Sequence, residues 1–197
     1  MNQLPIITIE RTYGSGGRII GEKVATLLGI PFYDHQLVQI TAEKSGFHAT
    51  VVQHLQNQKP ISLLYHLSGS AMELPLHDQV FFAQASVVRE LAEKGPCVIV
   101  GSCADSILEN KVKLLKVFIH APLEQRVNRV DKVYKETAKN LTDYVKKKDK
   151  MRKSHYEHYT HRDWADPECY QLSIDSSIGL DMAADIIMRT AKEIAEH

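Results

Sequence analysis

The chain has 197 residues, 24 of them Lys or Arg and 24 Asp or Glu, so it is long enough for one substantial core and has no net charge to draw it to nucleic acid or an anionic membrane. Its three cysteines, Cys97, Cys103 and Cys169, contain no C-x-x-C pair and are odd in number, which argues against a secreted disulfide framework. No stretch approaches the ~18 uninterrupted apolar residues of a membrane span, and the first residues lack the pattern of a signal peptide, so the expected setting is the cytoplasm, without a membrane or nucleic-acid partner.

Leu4 to Ile9 reads as a buried strand. The glycine-rich turn Gly14-Ser15-Gly16-Gly17 follows, and then a helix over Arg18 to Leu28 with Ile19, Val24, Leu27 and Leu28 as its apolar face. Gly29 stands where a helix C-cap glycine belongs. Ile30 to Asp34 is a second short strand, completing a β-loop-α-β opening. The pattern is helical from His35 to about Gln58, with a break near Ser45-Gly46, and irregular from Pro60 to Pro75. Val80 to Glu93 is a helix closed by Gly95-Pro96. Cys97 to Gly101 is the continuous apolar run of a central parallel strand, and Val112 to Ile119 is another. Pro122 opens a helix bearing Arg126 and Arg129, and Asp131 to Asp166 is polar and rich in Lys, His and Tyr. Tyr170 to Asp175 gives a last strand and Leu180 to Ile194 a closing helix. Strands alternating with helices predict an α/β fold whose parallel sheet is covered on both faces.

A glycine-rich turn between a strand and a helix can aim several N–H groups at one point, where the helix N-terminus adds partial positive charge: a phosphate nest. The P-loop pattern G-x-x-x-x-G-K-[ST] would place glycine at 11 and 16, lysine at 17 and a hydroxyl residue at 18. This chain has Arg11, Gly16, Gly17 and Arg18. Arg18 at a helix start is unfavourable unless an anion is near, and Arg11 is a second candidate for the charge of the missing lysine. A surface ion pair is the competing reading of each arginine. Gly14, Gly16 and Asp34 also mimic a dinucleotide fingerprint, but its third glycine falls at Ile19, so an oxidoreductase is set aside.

Four segments carry a resemblance over Ile6 to about Ile187: Tyr13-Gly14-Ser15-Gly16-Gly17-Arg18, Ile30-Pro31-Phe32-Tyr33-Asp34, Cys97-Val98-Ile99-Val100-Gly101 with Cys103-Ala104-Asp105, and Trp164-Ala165-Asp166-Pro167. On these the chain resembles the cytidylate kinase-like family, which is similar to the P-loop nucleoside monophosphate kinases. The resemblance implies a P-loop NTPase-like three-layer sandwich with a five-stranded parallel sheet and a helical lid. It also implies one kinase-like domain over 1–197, with an acceptor-binding helical region at about 35–80 and the lid at about 131–166.

The implied activity is transfer of the ATP γ-phosphoryl group, with Mg2+, to a nucleoside monophosphate or related small acceptor. Phosphate binding would fall to Arg11, Gly14, Ser15, Gly16, Gly17 and Arg18, and catalysis to Arg18, Arg152 and Arg126. Acceptor binding would fall to Asp34, Arg89, Ser102 and Asp105. Ser102 stands where the resemblance puts an arginine, and Arg89 is the candidate to compensate. Lys148 and Arg162 follow Arg152 as lid cations. The Mg2+ ligands are left open among Ser15, Glu10, Asp105 and water, with Glu10 reading better as a cap or surface carboxylate. His155, His158 and His161 recur every third residue without the cysteine or carboxylate support of a zinc site. Monomer and homodimer both stay open. With Gly17 and Ser102 where charge is expected, a nucleotide-binding protein with weak or no kinase activity is the alternative.

Overall fold

The computed structural model describes residues 3–56 and 74–197; the segment expected to be irregular from Pro60 to Pro75 lies outside them except for Leu74 and Pro75, and so does the middle of the region at about 35–80. Five parallel strands, β1 (Ile6–Arg11), β2 (Phe32–Tyr33), β3 (Val98–Val100), β4 (Leu114–His120) and β5 (Leu172–Asp175), form one sheet in the order β2-β3-β1-β4-β5. The helices are α1 (Gly17–Leu28), α2 (His35–Ser45), α3 (Ala49–Gln56), α4 (Leu76–Glu93), α5 (Ala104–Leu108), α6 (Leu123–Lys132), α7 (Leu141–Thr160) and α8 (Leu180–Glu196). This is the three-layer α/β sandwich that the order of elements predicts.

Alternation along the strands sorts the core into two layers. Ile7 and Ile9 of β1, with Leu115, Val117 and Ile119 of β4, face Ile20 and Val24 of α1 and Ile187 of α8. Ile6 and Phe118 face the other way, toward Val87 and Val88 of α4, Ile107 of α5 and the rings of Trp164 and Tyr170. The two polar residues of β1 on that second face, Thr8 and Glu10, are therefore buried. Gly29 and Gly46, both in left-handed conformations, end α1 and α2 by donating their N–H groups back to helix carbonyls.

One helix face differs from the sequence expectation. The buried stripe of α1 is Ile20, Gly21, Val24 and Ala25, whereas Leu27 is exposed and Ile19 half-buried. Gly21 sets this phase: a Cβ there would lie 3.0 Å from Val100 Cγ2 and 3.1 Å from Ile9 Cδ1, so the missing side chain is what lets α1 lie close to the sheet. β1 also runs two residues beyond Ile9, because Glu10 and Arg11 keep pairing with Phe118 and Ile119. Among the described residues no helix is long and apolar enough to cross a membrane.

Ile9 is fully buried in the central strand, so Ile9→Ala leaves a cavity between α1 and α8. It is expected to cost about 2–5 kcal/mol of unfolding free energy in urea titrations; a change within experimental error would contradict the packing described.

Candidate functional site at the glycine loop

The loop leaves the carboxyl end of β1, which has β3 on one side and β4 on the other, the switch point where open parallel sheets receive ligands. Gly14 (φ 80) and Gly16 (φ 85) carry the left-handed backbone of the turn, and a Cβ on Gly14 would come within 2.7 Å of the Arg126 carbonyl oxygen. Side chains tie down the loop carbonyls. Ser15 Oγ donates to Thr12 O (2.8 Å) and Ser176 Oγ to Ser15 O (2.6 Å). Arg129 Nη1 donates to Gly14 O (2.6 Å) and Arg126 Nη1 to Tyr13 O (3.0 Å). The turn is thus fixed before any ligand arrives, as an oxyanion site requires.

An anionic oxygen already rests on this turn. Asp149 of α7 accepts the Tyr13 N–H at Oδ1 (2.6 Å) and an Arg126 N–H at Oδ2 (2.6 Å). One helical turn along, Arg152 Nη1 donates to the Arg11 carbonyl oxygen (3.0 Å), and its guanidinium lies 5.0 Å from the Tyr13 ring centroid. Two residues of α7 therefore grip the loop backbone.

Positive charge gathers at the same place. Arg11 Nη2 is 3.5 Å from Asp34 Oδ1 and its Nη1 is 4.0 Å from Glu10 Oε2. Its side chain passes over Gly17, where a Cβ would lie 2.8 Å from Arg11 Cβ, and its guanidinium rests against Gly101. Arg18 reaches Asp34 Oδ2 from Nε at 3.1 Å with a side chain 55% exposed. Burial, followed by repulsion from Arg11, pulls the pKa of Arg152 down to about 9, against the opposing pull of Glu10, Asp149 and Asp34. It keeps its proton at neutral pH, yet the surroundings undercompensate its charge.

Two clefts adjoin here. One, of about 500 Å³, opens over Gly14, Gly16, Gly17 and Arg18. The other, of about 290 Å³, runs between the sheet, α4 and α7 and is lined by Gln84, Ser102, Met151 and His155. Arg11, Tyr13, Asp34, Glu136 and Arg152 line both. The shared wall is where a group held in one cleft would meet a group held in the other.

Under the second cleft lies a buried acid pair. Glu10 is neither a cap nor a surface carboxylate: it is 6% exposed and accepts from Trp164 Nε1 at 3.2 Å. Asp105, 1% exposed, accepts from the Tyr156 hydroxyl at 2.6 Å through Oδ2. Burial raises both pKa values; for Glu10 the negative charge of Asp105 adds to the rise, while Arg11 and Trp164 oppose it.

The remaining candidates are distributed as follows. Ser102 (φ 64) lines the second cleft, where its Oγ accepts from Gln84 Nε2 at 2.9 Å; Gln84 is buried and was not among the expected residues. Arg89, expected beside Ser102, is instead exposed and lines neither cleft, because five residues along a helix turn it about 140° from Gln84. Asp34 precedes α2 but makes no side-chain cap there; its carboxylate turns to Arg11 and Arg18.

Arg126, expected to touch nucleotide, spends Nε on Ala121 O (3.0 Å) and Nη1 on Tyr13 O and Asp149, the position of a clamp between α6, the loop and α7. Asp105 lines neither cleft. Arg162 forms a two-pronged ion pair with Glu109 (3.0 and 2.5 Å), away from the loop. Lys148 stands over the rings of Tyr13 and Tyr144. His155 packs against Phe81 and Tyr159, and burial lowers its pKa to about 4.

Among the described residues no group of three or more His, Cys, Asp or Glu could hold a metal ion. The Ser15 hydroxyl donates its proton to Thr12 O, and Arg18 fills the position of the usual hydroxyl ligand.

A five-stranded parallel sheet in this order, with a glycine-rich turn at the end of its central strand, is the fold of the P-loop kinases. The model of the cytidylate kinase-like family matches residues 6–178, and the chain belongs to that family. Among solved structures, an uncharacterized protein from Eubacterium ventriosum ATCC 27560 is 26% identical, with a TM-score of 0.73 over 95% of this chain and 98% of that one. Shikimate kinase from Acinetobacter baumannii, solved with shikimate, shares the fold at 17% identity and a TM-score of 0.56, over 98% and 96% of the two chains. A gluconokinase from Sinorhizobium meliloti 1021 does so at 17% and 0.58, over 98% and 94%. No curated protein matches the chain by sequence.

The acid pair yields a test with a defined sign. Carboxyls whose folded pKa is raised stabilise the fold fully below their unfolded pKa of about 4 and lose that contribution as pH rises through the folded value. Asp105→Asn keeps the shape while removing one charge. Its stability relative to the unsubstituted protein, from urea unfolding, is expected to grow as pH rises above about 4; a difference independent of pH would contradict the account.

Proposed function

We propose that this protein is an ATP-dependent phosphotransferase that moves the γ-phosphoryl group to a nucleoside monophosphate or related small acceptor. The observation that carries this reading is the shared wall: two clefts, one floored by the glycine nest, meet at Arg11 and Arg152. Phosphoryl transfer asks little covalent chemistry of a protein; it needs donor and acceptor in line and positive charge around the transferred group. ATP phosphates over Gly14 to Arg18 would bring the γ-phosphoryl group to that wall, and an acceptor beside Ser102 and Gln84 would face it. Asp34 between Arg11 and Arg18 holds both guanidinium groups until phosphate oxygens take its place. Mg2+ enters as part of the Mg-ATP substrate, bound mainly by phosphate oxygens and water, as this ion prefers.

In this reading α7 is the lid. Asp149 and Arg152 bring it onto the loop, and its closure excludes water that would compete for the phosphoryl group. The free thiols Cys97, Cys103 and Cys169, together with a need for ATP, support a cytoplasmic setting.

Incubation with Mg-ATP and a panel of nucleoside monophosphates and other small acceptors is expected to give ADP at a rate that depends on the acceptor. Saturable ATP binding without acceptor-dependent turnover would support a nucleotide-binding protein of this fold instead, the reading to which Gly17 and Ser102 point. Arg152→Met is expected to lower kcat by about a hundredfold; an unchanged kcat would remove its assigned role.

A further inference from the structure

The standard P-loop has glycine at the position of Arg11 and lysine at the position of Gly17. Here the two residue types are interchanged in character: a cation stands at the first position and a glycine at the second. We infer that this is one reciprocal exchange, in which the Arg11 guanidinium supplies the positive charge that the pattern takes from position 17, and Gly17 is glycine to let the arginine pass. The inference rests on the phosphotransferase reading for its chemistry, and on sterics alone for the pairing.

The sterics are specific. A Cβ on Gly17 would lie 2.8 Å from Arg11 Cβ and 3.0 Å from its Cγ, the first closer than side chains in real proteins approach. Both of those atoms are at the stem of the side chain, whose place is fixed by the strand: Arg11 pairs with Ile119 as the last residue of β1. The obstruction therefore cannot be relieved by swinging a flexible tip. At the other end of the side chain a second glycine gives way, since a Cβ on Gly101 (φ 78) would run into Arg11 Nη1. Gly17 and Gly101, from α1 and the end of β3, cradle a single arginine between them.

The path so built ends at the functional wall. Arg11 lines both clefts, and its side chain, 17% exposed, has Asp34 and Glu10 as anionic neighbours and Arg152 as a cationic one. A lysine at the start of α1 would place a single ammonium over the nest. Arg11 instead approaches from the strand end and offers a planar fork that can bind two phosphate oxygens. Exchange of position and exchange of residue type thus go together: the fork spans the junction of the clefts.

The test is a double-mutant cycle on the full chain, using Arg11→Gly, Gly17→Lys and the pair of both, with a non-hydrolysable Mg-ATP analogue titrated by calorimetry and with thermal unfolding measured in parallel. Each single variant is expected to lose about tenfold to a hundredfold in analogue affinity, the loss of one charge-assisted contact. The double variant is expected to recover to within a fewfold of the unsubstituted protein. A double variant no tighter than the weaker single one, or an Arg11→Gly affinity equal to the unsubstituted one, would overturn the inference.

Two smaller changes keep the cycle informative should Gly17→Lys fail to fold. Gly17→Ala is expected to lower the unfolding temperature when Arg11 is present and to leave it unchanged or raised beside Arg11→Gly; equal shifts in both backgrounds would overturn the steric pairing. Arg11→Met keeps most of the bulk and removes the charge, so affinity should fall as in Arg11→Gly while Gly17→Lys should not rescue it; rescue there would overturn the reciprocity. An unsubstituted protein that binds no analogue would remove the phosphotransferase reading, with the unfolding cycle still deciding the steric pairing by itself.

Discussion

Two guanidinium groups, those of Arg11 and Arg152, are held on one side of a glycine turn with carboxylates as their counter-charges. Like charges brought together repel unless something anionic offsets them, and here Glu10 of β1, Asp149 of α7 and Asp34 from between β2 and α2 do so. Burial, followed by repulsion from Arg11, still holds the pKa of Arg152 below the usual guanidinium value. In the proposed function an incoming polyphosphate would add anionic partners for both groups at a loop whose carbonyls are already tied down.

Much of the fold serves to keep the pair in place. Arg11 is fixed by strand pairing to Ile119 and by the glycines it passes, Gly17 and Gly101. Arg152 is fixed by its bond to the Arg11 carbonyl and by the Tyr13 ring beneath it. Asp149 and Arg126 join α7, α6 and the loop into one hydrogen-bonded unit, so the position of α7 and the shape of the turn depend on each other. Movement of α7 away from the loop would break these contacts together.

The order of strands and helices was legible because apolar runs such as Val98-Ile99-Val100 and stops such as Gly29 and Gly46 follow local rules that need no partner. The phase of α1 was not, because Gly21 buries itself by lacking a side chain and so leaves no trace in a hydrophobic pattern. Gln84 had a readable signal: it falls in register with Val80, Val87, Val88 and Leu91 on the buried face of α4, so a polar residue there needed a partner. Arg89 has the charge that such a site calls for, but helical phase puts it on the exposed side of α4. Asp149 was hidden in a lysine-rich run that reads as a solvated face. The contact of Trp164 with Glu10 crosses 154 positions and is set by the fold alone.

The central claim is that Arg11 and Arg152 converge on the phosphoryl group in transit. Its most direct measurement is a crystal structure with Mg-ADP and an aluminium fluoride mimic of that group. The account predicts a nitrogen of each guanidinium within about 3 Å of the mimic's fluorides, with the ADP phosphates over Gly14 to Arg18. A mimic bound at the loop with Arg11 still paired to Asp34 and Arg152 still on the Arg11 carbonyl would contradict it.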